Sequence, residues 1–169
     1  MTTRAELFSK FDDLGIVHNT LNHEPVFTVQ DSTIVKAEMP GAHTKNLFLK
    51  DKAGRFFLIC AKSDTPIRLN KLHPHLGSKR LSFGKAEALF EKLGVTPGSV
   101  TLFSIINDTD QDVTLIIDQR LTEHDIVNFH PLLNDATTAI SSEDMIKFAK
   151  ATGHDPVILN LANLAQANT

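Results

Sequence analysis

The run Thr44-Lys45-Asn46-Leu47-Phe48-Leu49-Lys50-Asp51 constrains this chain more than any other stretch. A short apolar core between charged flanks, followed at once by the turn Asp51-Lys52-Ala53-Gly54, reads as a strand and its hairpin corner. Side chains alternate across a strand, so Leu47 and Leu49 take one face and Phe48 the other. Apolar cover on both faces makes it an interior strand of a sheet packed on two sides. Arg55-Phe56-Phe57-Leu58-Ile59-Cys60-Ala61 is its hairpin partner. Lys45 and Asn46 then stand where the strand emerges. A cation and an amide there suit a phosphate or carbonyl ligand, and suit equally the ordinary polar end of a strand.

A chain of 169 residues supports one well-formed core and is short for two, so a single domain spanning 1–169 is expected. The net charge of −3 excludes a wholesale basic nucleic-acid binder but leaves room for a local basic patch. No apolar run reaches the length of a membrane span, and Met1-Thr2-Thr3-Arg4-Ala5-Glu6 lacks the apolar stretch of a signal peptide. The lone Cys60 falls inside an apolar strand, which excludes disulfides and a multi-cysteine zinc site and makes it a packed thiol. A cytoplasmic protein with no membrane partner fits these features. Trp and Tyr are absent while Phe occurs 11 times, so phenylalanine must supply the large aromatic packing.

The opening helix carries the capping box Thr3-Arg4-Ala5-Glu6, an apolar stripe of Leu7, Phe11 and Leu14, and a stop at Gly15. A strand is expected over 16–21, and Asp31 is placed to cap a short helix through Ala37. Thr65-Pro66 has the pattern of a helix start, giving a helix through Leu72. A brief strand over 79–83 and an amphipathic helix over 84–93 follow, the latter stopped by Gly94. Strands are expected over 100–106, 113–118, 126–129 and 136–140. Ser141 or Ser142 caps a helix over 143–152 that Gly153 closes, and 160–167 can form a further short helix. About seven strands and five helices without regular βαβ alternation predict an α+β fold, with a mixed, largely antiparallel central sheet flanked by helices.

Side-chain chemistry narrows the function classes. The eight histidines, at 18, 23, 43, 73, 75, 124, 130 and 154, contain no HExxH pair and have no cysteine partner, which argues against a metal centre. No GxSxG elbow, phosphate loop or dinucleotide fingerprint is present, so no cofactor is expected. Asn128-Phe129-His130-Pro131 puts a histidine at a strand end. By pattern it is more often a hydrogen-bonded structural residue than a catalytic one. His154, in Gly153-His154-Asp155-Pro156, sits on a helix-terminating turn where a protonated ring is favourable. Lys36, Lys45, Lys50, Lys62, Arg68, Lys71, Lys79 and Arg80 crowd the first half, whereas only Lys85, Lys92, Arg120, Lys147 and Lys150 follow Gly84. If the helix after Thr65 lies near Lys79-Arg80, these bases form one surface beside the Lys45 mouth, able to follow a phosphate backbone. A solvated mixed-charge face is the alternative.

At these segments the chain resembles the YbaK/aminoacyl-tRNA deacylase family, which is similar to the editing domain inserted in many bacterial prolyl-tRNA synthetases. The matching pieces are 23–28, Gly41-Ala42-His43-Thr44-Lys45-Asn46-Leu47-Phe48-Leu49-Lys50-Asp51, Gly98-Ser99-Val100-Thr101, Phe129-His130-Pro131 with Asn134 and Thr137-Thr138, and Gly153-His154-Asp155-Pro156. They cover nearly the whole chain, and it is most similar to free-standing members that deacylate alanyl-tRNA(Pro). The resemblance implies trans-editing, with the tRNA(Pro) acceptor end carrying alanine as substrate and prolyl-tRNA synthetase as a further partner. It implies that Lys45 contacts the terminal adenosine or its phosphate. It makes the Gly98 and Ser99 amides carbonyl or oxyanion donors, Asn46 a substrate contact, and His130 the border of the amino-acid pocket. Phe27 and Val29 become its apolar wall, and Lys50 and Arg80 acceptor-stem contacts. Cysteinyl-tRNA(Pro) deacylation, a non-catalytic tRNA- or synthetase-binding adaptor, and a small-molecule-binding domain are the alternatives.

Overall fold

The computed structural model describes residues 1–25 and 29–166; within 29–34, only Thr33 is described with its side chain. In chain order the elements are α1 (Arg4–Asp13), β1 (Asn19–Asn22), α2 (Val29–Glu38), β2 (Ala42–Asp51), β3 (Phe56–Lys62), α3 (Leu69–Leu72), β4 (Leu81–Phe83), α4 (Ala86–Leu93), β5 (Val113–Asp118), α5 (Gln119–Thr122), β6 (Ile126–Phe129), β7 (Ala136–Ser141), α6 (Ser142–Ala151), β8 (Val157–Leu159) and α7 (Leu161–Gln166). Short 3₁₀ turns occupy His73–Leu76 and Leu102–Asn107. No helix among the described residues is long and apolar enough to cross a membrane.

The eight strands form one mixed sheet in the order β1-β7-β6-β2-β3-β5-β8, with β4 paired to β2 beside that path. Four of its pairings are antiparallel and three parallel, so the α+β expectation holds with one more strand than anticipated. The hairpin forms as the pattern requires, from Thr44 opposite Lys62 to Lys50 opposite Phe56. Phe48 joins the larger apolar core, and Leu47 and Leu49 the smaller core on the other face. Phe11, Phe103, Phe129 and Phe148 meet edge-on at 5.0–5.6 Å in the larger core, the packing expected of a chain without Trp or Tyr. Cys60 is fully buried, and burial drives its thiol pKa well up, so it is a packing residue.

Several elements differ from expectation, each for a local reason. The run 100–106 is a 3₁₀ turn over Leu102–Asn107, because Thr101 Oγ1 accepts the Phe103 amide and caps it. Leu102, Phe103 and Ile105 are all buried, and a continuous apolar run does not declare its period. Thr65 starts no helix: its hydroxyl donates to the buried Asp118 carboxylate at 2.6 Å and accepts from Arg120, so helical geometry begins only at Leu69. The first strand is β1 at Asn19–Asn22 instead of 16–21, since Ile16 turns into the core and Val17 out to solvent. α2 begins at Val29, ahead of Asp31. The strand β8 and the helix α5 have no counterpart in the expectation.

Candidate functional site

The position of the site follows from how β2 changes partners. Along one edge β2 pairs with β3 from Thr44 to Lys50. Along the other it pairs with β6 at Ala42 and His43, and with β4 at Leu49 to Asp51. Between them, over residues 44–48, that second edge has no strand beside it among the described residues. Strand backbones face alternate edges, and the Phe48 carbonyl accepts from Gly84 on the β4 side. By the same alternation the Asn46 main-chain N–H and C=O face the gap. A break in a sheet edge with unpaired backbone polar groups is a natural ligand position, as at the switch points of open sheets.

A pocket of about 190 Å³ occupies this break, lined by Thr44, Lys45, Asn46, Gly98, Val100 and His130. Lys45 Nζ makes no ion pair among the described residues. Thr44 Oγ1 donates to the Asn128 carbonyl at 2.7 Å and accepts a long 3.3 Å bond from Asn46 Nδ2. Asn46 Oδ1 and Asn128 Oδ1 are the buried side-chain atoms without a hydrogen-bond partner among the described residues. Each such orphan costs about 1–3 kcal/mol, and both flank Thr44. Stability forgone in this way is concentrated at functional sites.

Gly98 reaches the rim through the turn Thr96-Pro97-Gly98-Ser99, closed by the Ser99 amide donating to the Thr96 carbonyl at 3.0 Å. With proline second and glycine third at φ +90°, this is the type II pattern, which leaves the Gly98 N–H outside the turn's own hydrogen bond. Ser99 departs from expectation as an oxyanion donor. Its amide is committed to Thr96, and its buried hydroxyl accepts the Asn134 amide at 3.1 Å, tying the Gly98 turn to the segment after His130.

Phe129 points into the core, so its neighbour His130 emerges at the pocket. Its Nδ1 lies 2.9 Å from the Ala136 carbonyl, an atom that can only accept. Nδ1 is therefore the protonated nitrogen of the neutral ring, and Nε2 keeps its lone pair. Burial pushes the ring's pKa below its ordinary value; the Ala136 bond opposes the shift and nearby His23 adds to it. His23 itself bonds Thr137 Oγ1 at 2.8 Å, with its ring 6.4 Å from His130.

The other expected site residues do not line this pocket among the described residues. Phe27 lies outside the described residues, as does the side chain of Val29, which opens α2. Lys50 and Arg80 are exposed at the opposite end of β2, where the Lys52 amide donates to the Arg80 carbonyl and Lys50 faces Ser82 across the β2–β4 pair. Lys50 is five residues from Lys45, about 17 Å along the strand. The bases therefore form a second surface, with Lys52, Lys79 and Lys85, instead of framing the Lys45 mouth. His154 stands on the turn after α6 as expected and is buried there: Nε2 meets Asp108 Oδ2 at 2.8 Å and Nδ1 meets Thr152 Oγ1 at 2.9 Å, which fastens the end of the helix. Thr44 and Val100 are pocket residues the sequence reading did not single out, although both sit inside the motif segments.

Residues 23–148 match the sequence profile of the aminoacyl-tRNA editing domain, a span that contains every residue lining the pocket. The chain belongs to the aminoacyl-tRNA editing domain family. Two relatives illustrate its range. This editing domain is 42% identical over 162 residues to the prolyl-tRNA synthetase associated domain-containing protein 1 of Mus musculus, covering 93% of this chain and 95% of that one. It is 34% identical over 155 residues to the prolyl-tRNA editing protein ProX of Acetoanaerobium sticklandii, covering 91% and 94%. A solved structure whose proposed assignment is a trans-editing enzyme for prolyl tRNA synthetase shares the fold, with a TM-score of 0.67 at 14% identity over 94% of this chain and 98% of that one.

Proposed function

We propose that this editing domain acts in trans to hydrolyse the ester of alanyl-tRNA(Pro), releasing alanine and free tRNA(Pro). The observation that carries this reading is the pocket at the break in β2. It offers an ammonium that makes no ion pair among the described residues, a turn amide and an imidazole lone pair in about 190 Å³. That volume is below the roughly 300–1,000 Å³ of ordinary small-molecule sites, which suits an aminoacyl end with the nucleotide outside. Exclusion by size is the chemistry a proline-charging system needs. A synthetase pocket shaped for proline rejects the smaller alanine by only about 1–3 kcal/mol per missing methylene. A second site that admits alanine and excludes proline completes the selection.

In hydrolysis a water oxygen bonds to the ester carbonyl carbon and the carbonyl pair moves onto its oxygen. The carbon–oxygen bond to the ribose then breaks. A proton from the water passes to the ribose oxygen, leaving the amino acid and a tRNA with a free terminal hydroxyl. Gly98 N–H, with the Asn46 main-chain N–H facing the same gap, supplies donors for the developing oxyanion, and each such donor is worth about 10²–10³ in rate. Lys45 balances the terminal nucleotide's negative charge and fixes the ester's position. His130 borders the amino-acid side chain, and its Nε2 lone pair can hold the attacking water. Phe27 and Val29 complete the apolar wall in this reading. Prolyl-tRNA synthetase is the partner that supplies the mischarged tRNA, a reading supported by the name of the mouse relative.

The test is ester loss from alanyl-, cysteinyl- and prolyl-tRNA(Pro) under identical conditions. Hydrolysis of the alanyl ester with the prolyl ester spared is the expected result. Preference for the cysteinyl ester would keep the reaction and overturn the pocket size. Stable tRNA binding without loss of any ester would make the chain an adaptor and contradict the proposal.

A further inference from the structure

We propose that Arg4, at the start of α1, is a positioning residue for the pocket, holding the turn that presents His130. The inference rests on reading that pocket as the ester site. Arg4 lies outside the segment matched to the family, which begins at residue 23. Its guanidinium nevertheless spans the His130 turn. Nε donates to the Pro131 carbonyl at 3.0 Å and Nη2 to Asp135 Oδ1 at 2.5 Å, across 127 and 131 residues of sequence.

The turn needs such a hold. Leu132 stands at φ +75°, a left-handed conformation that a branched side chain rarely adopts, while its amide bonds back to the His130 carbonyl at 2.9 Å. A strained residue persists only when its surroundings over-determine it. Arg4 grips the residue before Leu132 and the residue that closes the turn. The Asp135 carbonyl also accepts the His23 amide at 2.9 Å, and Ser99 Oγ accepts the Asn134 amide, so the turn is fixed to β1 and to the Gly98 turn as well. Arg4 is itself fixed. Thr3 and Glu6 form a reciprocal capping box around it, and Leu7, one turn on, is fully buried. The Arg4 hydrogen bond is the leading cause that holds the Asp135 carboxylate below its ordinary pKa, keeping the acceptor charged at neutral pH. A planar fork that meets two acceptors at once is a property of arginine that lysine lacks.

The experiment compares wild type, Arg4→Ala, Arg4→Lys and Asp135→Asn in single-turnover deacylation of alanyl-tRNA(Pro), together with the ¹⁵N–¹H spectrum of the His130 ring. Displacements of about 1 Å at a reacting centre cost up to about a hundredfold. Arg4→Ala is therefore expected to slow the bound-substrate rate ten- to a hundredfold, with half-saturating tRNA unchanged and the fixed Nδ1–H form of His130 lost. Arg4→Lys should recover only part of the rate. Asp135→Asn, which keeps the side-chain shape, should show a smaller loss in the same direction. An Arg4→Ala protein that is less stable but keeps both the rate and the His130 spectrum would overturn the proposal, as would full recovery in Arg4→Lys. Should wild type hydrolyse no ester, the deacylase reading falls, while the His130 spectrum still decides whether Arg4 governs that ring.

Discussion

At the scale of single residues, three environments give the pocket its chemistry. Lys45 is a cation without an ion-pair partner among the described residues, Gly98 offers an amide outside its turn's own bond, and His130 has its tautomer set by a backbone carbonyl. Because burial lowers the His130 pKa, the ring is neutral at pH 7 and stays so below the ordinary 6.5. The sign for stability follows. A histidine with a depressed folded pKa contributes stability that is fully present above its unfolded value and is lost as the pH falls through the folded value. An NMR titration of the His130 ring is expected to show a midpoint below 6.5, with deacylation declining over the same range; a midpoint at or above 6.5 would contradict the burial argument. Pattern alone left His130 and Lys45 undecided between function and ordinary structure. What decides their grouping is a contact between β2, the Gly98 turn and the end of β6, which no local window of sequence contains.

At the scale of elements, the junction between α2 and β2 sets where the pocket opens. Gly41 stands at φ +100°, and a Cβ there would sit 2.6 Å from the Ile126 carbonyl oxygen. Asn128 Nδ2 bonds the Pro40 and Ala42 carbonyls at 3.1 and 3.2 Å, and His43 Nε2 donates to the Met39 carbonyl at 2.8 Å. Gly41→Ala is accordingly expected to destabilise the fold by at least about 1–3 kcal/mol from backbone strain, seen as a lower midpoint in urea unfolding. An unchanged midpoint would mean that β6 yields at no cost. The hairpin of β2 and β3 was legible because two-faced apolar alternation and an Asp-Lys-Ala-Gly corner agree, and the capping box announced α1 without tertiary help. Leu102–Asn107 was misread because a buried apolar run fits a strand and a helical turn equally well. Thr65 was misread because a threonine before a proline is an N-cap by local rules, and Asp118, 53 residues away, claims its hydroxyl. β8 is three residues long with Val157 and Ile158 partly exposed, too brief to impose a period.

At the scale of the whole molecule, the ester pocket and the basic end of β2 are separate stations about 17 Å apart on one strand. That spacing suits a tRNA whose aminoacyl end enters the pocket while its phosphate backbone passes the exposed bases. Lys50→Ala and Arg80→Ala should each weaken tRNA binding and reduce the slope of log K against log salt by about 0.7–0.9, leaving the bound-substrate rate unchanged. A lost rate at unchanged affinity would move those residues into the reaction centre. The net charge of −3 does not announce this surface, because a sum over the chain says nothing of where Lys50, Lys52, Lys79, Arg80 and Lys85 stand. The most direct test of the account is single-turnover deacylation of alanyl-tRNA(Pro) by Lys45→Ala beside wild type, with folding checked by thermal unfolding. The account predicts rapid ester loss with wild type and a collapse of that rate in a variant that still folds. Wild-type turnover in Lys45→Ala would contradict it and move the chemistry away from the break in β2.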